Sequence, residues 1–286
     1  MIKSENQPGA VQRAHTQKSE VSKLRKTFLI VAILGAFTLG LRHALPGEES
    51  LGGAFDSFCP FGAVETFFAY ATTGTTLKTT SLLNFAIFIG VVSTAVVGGR
   101  AFCGWICPLG GVQDFLAGWA RRFTGEGKRH IRGKQSKAIL PMRMPEWLDK
   151  PLRYVKYGVL ALVLWTSVTA IYPPLHALCP ARAVFGLKMT SLLLGVLAIF
   201  LVTSILFERF SCKYLCPLGA VLAIGNKFSF LKLKINKEAC NECGRCKQEC
   251  PMGIDPVTAE RDVECIRCLE CMDTCAKPEG IELRVL

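Results

Sequence analysis

The chain is poor in the residues from which most catalytic sites are built. It holds four histidines in 286 residues, and it carries no Ser-His-Asp set, phosphate-cradling P-loop, dinucleotide glycine fingerprint or HExxH helix. Nothing therefore points to hydrolytic, nucleotide-dependent or zinc-protease chemistry. Acids are scarce too, with 22 Asp and Glu against 34 Lys and Arg, a net charge of +12. Such an excess can mark a nucleic-acid binder, but here the basic residues cluster. Lys and Arg number 6 in residues 1–26, 12 in 100–156 and 6 in 208–237, but 2 in 42–78 and 2 in 173–188. The poor stretches alternate with the rich ones along an apolar chain, which is the pattern of membrane loops sorted by charge. No nucleic-acid partner is predicted, and the basic loops are expected to touch anionic lipid.

Half of the residues are hydrophobic and the mean hydropathy is +0.34, too apolar for an ordinary soluble protein of this length. Four stretches approach the roughly 20 residues that a 30 Å hydrocarbon core requires: 27–45, 79–99, 157–172 and 189–207. The first and third are short between charges and need Arg42 or Lys156 to snorkel. Some 22 polar residues precede the first stretch and no small-residue cleavage pattern follows it, so it reads as a retained anchor. The positive-inside rule places the N-terminus, the middle loop and the C-terminus in the cytoplasm, as expected of a multi-pass protein of the bacterial inner membrane.

What the chain does have is cysteine, 14 in all. Eight lie in the last fifty residues as two copies of C-x2-C-x2-C-x3-C, from Cys240 and from Cys265. This is the ligand spacing of a two-cluster bacterial ferredoxin, in which the fourth cysteine of each run serves the other cluster. The rule assigns Cys240, Cys243, Cys246 and Cys275 to one 4Fe-4S cluster, and Cys265, Cys268, Cys271 and Cys250 to the other. Pro251 after Cys250 fits the pattern, whereas Ala276 follows Cys275. Zinc accepts four thiolates as well, but from two separated C-x2-C knuckles, and disulfides do not suit a reducing compartment. The tail also carries 10 acids against 6 bases from Cys240 onward, which suggests docking with a positively charged partner or a solvated acidic face.

The other six cysteines repeat. Cys59-Pro60, an apolar stretch and Cys103-x3-Cys107-Pro108 are followed by Cys179-Pro180, an apolar stretch and Cys212-x3-Cys216-Pro217. The form C-P-x-x-[AG]-V occurs at Cys59, Cys107, Cys179 and Cys216. Proline favours the first helical position, so each of these cysteines is predicted at a helix N-cap. Val112, Phe115, Leu116, Trp119 and Phe123 recur at helical spacing after Cys107 and predict an interfacial helix. Cys103, Cys107, Cys212 and Cys216 then form a four-thiolate set at the membrane face, able to hold a further cluster. Cys59 and Cys179 form an outer redox pair or a disulfide. The plain alternative is that all six are small apolar packing residues. His43 and His176, on the outer side, read as interfacial polar groups or as outer metal or haem ligands.

The predicted fold is an all-α membrane protein of four transmembrane helices, as two parallel two-span repeats with Cys-Pro re-entrant or interfacial helices. A C-terminal two-cluster ferredoxin domain of small α+β type completes it. The expected boundaries are a disordered tail at 1–22, repeat 1 at 23–123, a basic linker at 124–150, repeat 2 at 151–235 and the ferredoxin domain at 236–286.

With FCGWICPLG at 102–110, SCKYLCPLG at 211–219 and the eight-cysteine tail, the chain resembles the NapH, NosR and CcoG group of bacterial membrane ferredoxins, closest in layout to NapH. Cys59 and Cys179 stand outside the NapH pattern. The resemblance implies electron transfer between quinol and a reductase, cytochrome or flavoprotein partner, with a quinone site. Its CcoG side implies instead a metal reductase or assembly factor, for example reducing Cu(II) for cofactor maturation. A regulatory iron-sulfur membrane protein is the third reading.

Overall fold

The computed structural model describes residues 8–44, 59–74, 82–124, 141–169, 178–186, 190–257, 262–275, 277 and 280–285. Helix α1 runs unbroken over Pro8–Ala44, so residues 8–22, expected to be disordered, are helical. Proline at its first position and a following run of Ala, Gln, Arg, Lys, Glu and Leu explain this: helix propensity does not require an apolar face. Within α1 the stretch Glu20–Leu41 is the one among the described residues long and apolar enough to cross a membrane. Helices α3 (Leu82–Gly98) and α8 (Ser191–Leu206) are apolar all round but have 17 and 16 residues. At 1.5 Å per residue they reach about 25 Å, short of a 30 Å core. Helix α6 (Glu146–Thr169) has 24 residues, but its first turns carry Glu146, Asp149, Lys150 and Arg153. Four full-length spans are therefore not what the described helices amount to. Residues 45, 79–81, 170–172 and 189 of the expected spans, and 125–140 of the expected linker, lie outside the described residues.

The chain packs as two equivalent halves. The first contains α2 (Pro60–Thr73), α3, α4 (Ala101–Trp105) and α5 (Pro108–Phe123). The second contains α7 (Pro180–Phe185), α8, α9 (Phe210–Tyr214) and α10 (Pro217–Asn226). Helix α1 packs on α4, α5 and α7, and α6 packs on α9, α10 and α2, the same relation with the halves exchanged. Likewise α5 lies on α8 and α10 on α3, so the helix after each C-x3-C-P motif is held by the opposite half.

Helices α2 and α3 form an antiparallel hairpin. Phe67 stacks on Phe88 with ring centroids 4.2 Å apart, Tyr70 meets Phe85 edge-on at 5.9 Å, and Asn84 donates to Thr66 at 3.3 Å. This register runs Cys59 toward the C-terminal end of α3, the end that leads into Cys103. Phe61 and Val64 accordingly pack on a core that includes Val91, Ala95 and Cys103. Cys59, expected with Cys179 as an outer pair, thus caps α2 near the Cys103 end of α3. Among the described residues no disulfide joins Cys59 to Cys179.

The tail is a small α+β unit. Strand β1 (Leu231–Ile235) pairs antiparallel with β2 (Ile281–Val285), Leu231 opposite Val285 and Ile235 opposite Ile281. Helices α11 (Arg245–Glu249) and α12 (Glu270–Thr274) pack on one another between them. Strand β1 begins five residues before the predicted boundary at 236, and the alternation Leu231-Lys232-Leu233-Lys234-Ile235 is its signature.

Candidate functional site

In the tail, both cysteine runs bend the same way. Glu242 and Gly244 in the first, and Arg267 and Leu269 in the second, occupy the left-handed region at φ between 49° and 69°. These are matching positions of the two C-x2-C-x2-C runs. For residues other than glycine this conformation costs about 1 kcal/mol or more. Its repetition at three non-glycine positions gives the two runs the same backbone bends. Cys240, Cys246 and Cys275 share a core with Ile235 and Ile281, while Cys243 is exposed. Cys250 falls within electrostatic reach of Cys265, Cys268 and Cys271. Cys271 is buried in the core with Ile235, Cys246 and Ile281 and also feels Cys268, Cys265 and Cys250.

The donor set fits iron-sulfur clusters. Burial, opposed by Arg25 and reinforced by Cys250 and Glu270, pushes the Cys268 thiol up to about 12. Burial together with Cys268, Cys265 and Cys250 likewise raises Cys271. Such thiols become thiolates when a cation takes the place of the proton. A single zinc ion, with Zn–S near 2.3 Å, needs sulfurs about 4 Å apart. Among the described residues no three Cys, His, Asp or Glu side chains stand close enough to hold any metal ion in this arrangement.

Cys59, Cys107, Cys179 and Cys216 are all helix N-caps with proline behind them, as the sequence predicts. At Cys216 the sulfur accepts from the Gly219 amide at 3.4 Å. The structure brings Cys103, Cys107, Cys212 and Cys216 together, one pair from each half. Burial, then Cys212 and Cys103, push Cys107 up to about 12. Burial, against the pull of Arg209 and with that of Cys103, lifts Cys212 to about 11. Cys216 is raised by burial and by the other three. The halves lock reciprocally: Arg100 donates to the Cys212 carbonyl at 3.1 Å, and Arg209 to the Cys103 carbonyl at 2.7 Å. Both arginines are fully buried. The His43 side chain and His176 lie outside the described residues.

Sequence reasoning missed the ion network that docks the tail here. Asp114 takes Arg209 through both oxygens, at 2.7 and 2.6 Å, and also pairs with Arg25. Arg25 reaches Glu270 of the tail at 2.5 Å and the Gly104 carbonyl at 2.9 Å. Arg100 and Lys156 both pair with Glu264, next to Cys265. Arg100 and Lys156 outweigh the effect of burial and hold the Glu264 carboxyl below its usual range. Asn226 donates to the carbonyls of Val263 and Cys265 at 2.9 and 3.0 Å, and Trp105 to that of Arg267 at 2.9 Å. Ile266, between Cys265 and Cys268, packs in one core with Cys103. The tail acids expected to meet an outside partner are in part consumed inside the chain. The available signal was an arginine three residues before each C-x3-C-P motif, too deep in an apolar stretch to be a solvated charge.

Comparison with known proteins fits this geometry. A family model described as a 4Fe-4S binding domain matches twice, at residues 80–125 and 189–238. Each match covers one C-x3-C-P motif. The uncharacterized protein MJ0750 of Methanocaldococcus jannaschii is 32% identical over 77% of this chain and 83% of its own length. The ferredoxin-type protein NapH of Haemophilus influenzae is 32% identical over 65% of this chain and 63% of its own. The chain belongs to the NapH/NosR-type ferredoxin family. In this family the match to the regulatory protein NosR of Stutzerimonas stutzeri, 29% identical, covers 66% of this chain and 25% of that protein. The putative electron transport protein YccM of Escherichia coli is 28% identical over 66% of this chain. The chain spans about half the length of YccM, 52%. No solved structure matches the chain.

Proposed function

We propose that this chain is a membrane-anchored iron-sulfur electron-transfer protein. Its tail would hold two 4Fe-4S clusters, one on Cys240, Cys243, Cys246 and Cys275 and one on Cys265, Cys268, Cys271 and Cys250. Cys103, Cys107, Cys212 and Cys216 would hold a further cluster where the two halves meet. When bound, such clusters supply one-electron redox chemistry with little rearrangement. The protein's own residues fix the relay: Arg25, Asn226 and Trp105 clamp the tail, and Ile266 fills the space between its second cysteine run and Cys103. That continuous packed contact between the two cysteine sets is the observation that carries the reading. The names of the relatives NapH, a ferredoxin-type protein, and YccM, a putative electron transport protein, support it.

Membrane insertion is supported by the apolar surface. Val31, Leu34, Ile89, Leu194 and Ile199 are all more than half exposed on helices that present no polar face there. Apolar surface of that extent on a soluble protein would drive association. We read α1, α3, α8 and the part of α6 from Tyr157 onward as the membrane helices of two parallel repeats, with α2 and α7 re-entrant and the basic segments cytoplasmic. The outer partner is then quinol or a redox protein. In liposomes, reduction of the tail centres by menaquinol or ubiquinol that is lost in Cys103→Ala/Cys212→Ala supports the relay. Selective reduction of Cu(II) without any response to quinol would assign metal reduction instead.

A further inference from the structure

We propose that Glu264 is a positioning residue shared by both cysteine sets: from the docked tail, it supplies the carboxylate that the second half of the chain lacks at the four-cysteine site. The inference rests on the reading of Cys103, Cys107, Cys212 and Cys216 as one site. Its starting point is the near equivalence of the halves. Arg100 and Arg209 each precede a C-x3-C-P motif by three residues, and each donates to the backbone of the opposite motif. Gly110 and Gly219, each three residues past its Cys-Pro cysteine, make room for these guanidiniums. A Cβ on Gly110 would stand 3.2 Å from Arg209 Nη1, and one on Gly219 would stand 3.1 Å from Arg100 Nη2.

The equivalence fails at one place. Asp114, seven residues after Cys107 and one helical turn past Gly110, pairs with Arg209. The matching residue, seven after Cys216 and one turn past Gly219, is Ala223, fully buried and unable to pair with Arg100. The cations are nonetheless matched on both sides. Arg25 of α1 joins Arg209 on Asp114, and Lys156 of α6 joins Arg100 on Glu264. Helices α1 and α6 hold equivalent places against the two halves. Glu264 therefore stands where a carboxylate on α10 would have stood. Arg100 and Lys156 are both fully buried, so their need for a counter-charge cannot be met by water. Glu264 itself is fixed by its own amide, which donates to Asp262 at 2.8 Å, and it directly precedes Cys265. Docking of the tail and closure of the four-cysteine site are consequently one event. The Glu264 charge acts on the tail centre through Cys265 and on the other through Arg100.

The test uses the full chain in nanodiscs and follows amide exchange, which does not depend on cluster loading. Glu264→Gln keeps the shape but removes the charge, and exchange is expected to rise about tenfold both at 210–216 and at 262–269. Adding Ala223→Asp should return 210–216 to the wild-type rate and leave 262–269 fast, because Arg100 regains a partner while the tail does not. Restoration of both segments or of neither overturns the proposal, as does a Glu264→Gln protein that exchanges like the wild type. The midpoint potential of the tail centre gives a readout beyond structure: loss of a nearby negative charge should raise it, and an unchanged potential contradicts the shared role. If the double variant does not insert, Glu264→Asp decides. A retained carboxylate should keep both segments within about threefold of wild type, and behaviour like Gln refutes the assignment. Absence of iron from the four-cysteine site would remove the functional reading while leaving the exchange results to judge Glu264.

Discussion

Gly104 offers the sharpest probe of the docked arrangement. It lies in α4 between Cys103 and Trp105, and a Cβ built there would stand 2.4 Å from the backbone oxygen of Ile266. Ordinary carbon-oxygen contact lies nearly 1 Å farther out, and neither partner is a flexible side-chain end. Gly104→Ala must therefore push the tail away from α4. Overpacking of this kind costs about 1–3 kcal/mol, and the backbone-to-backbone clash argues for the upper end. Alanine also gains helix propensity of about 1 kcal/mol over glycine, less in a helix of five residues. The clash wins. A net loss of about 1.4 kcal/mol or more corresponds to at least a tenfold rise in the undocked population, read as faster amide exchange over 262–269. Gly118→Ala in α5, where a Cβ meets nothing within 4 Å, is the matched control. It should stabilise the protein by up to about 1 kcal/mol and leave the tail protected. If both variants melt and exchange alike, the contact between α4 and the second cysteine run is not what holds the tail in place.

Three further outcomes are expected. Asp114→Asn leaves Arg25 and Arg209, both buried, without a full counter-charge, and should destabilise the folded chain by about 3–5 kcal/mol in chemical unfolding. A Cβ on Gly280 would stand 2.9 Å from the Cys275 sulfur, so Gly280→Ala should alter the paramagnetic signal of the cluster on Cys240, Cys243, Cys246 and Cys275 while sparing the other. Burial would raise the Asp149 carboxyl, but the Tyr214 hydroxyl and Arg153 hold it below its ordinary value. Its folded pKa is thus depressed. Its contribution is complete above pH 4, the usual Asp range, and is lost as pH falls through the lower folded value. Asp149→Asn should flatten the acid limb of the melting profile, and an unchanged limb would deny Asp149 that role.

The parts of this protein legible from sequence are those governed by local chemistry. Proline after cysteine sets a helix start wherever it occurs, and all four Cys-Pro N-caps lie where the sequence puts them. Ligand spacing and the matched C-x3-C-P segments are local as well. What was hidden depends on distant residues meeting. The exchange of Arg100 and Arg209 between halves, the recruitment of Glu264 and Glu270 and the packing of the start of α2 near Cys103 are all tertiary facts. Strand β1 falls inside the basic stretch 208–237 and the expected second repeat, with Lys232 and Lys234 alternating with apolar residues, and only the pairing with β2 gives that alternation a face. The N-terminal part of α1 shows the reverse case: its polarity suggested disorder, but propensity alone extends a helix already nucleated next to it.

The most direct test of the account is metal analysis with low-temperature paramagnetic resonance on the anaerobically purified full chain, beside Cys103→Ala/Cys212→Ala. The account predicts about twelve iron atoms per chain with equimolar sulfide, falling to about eight in the variant, and reduced-cluster signals in both. Iron equal in the two proteins would contradict the four-cysteine site. Zinc in place of iron, with no resonance after reduction, would contradict the account as a whole.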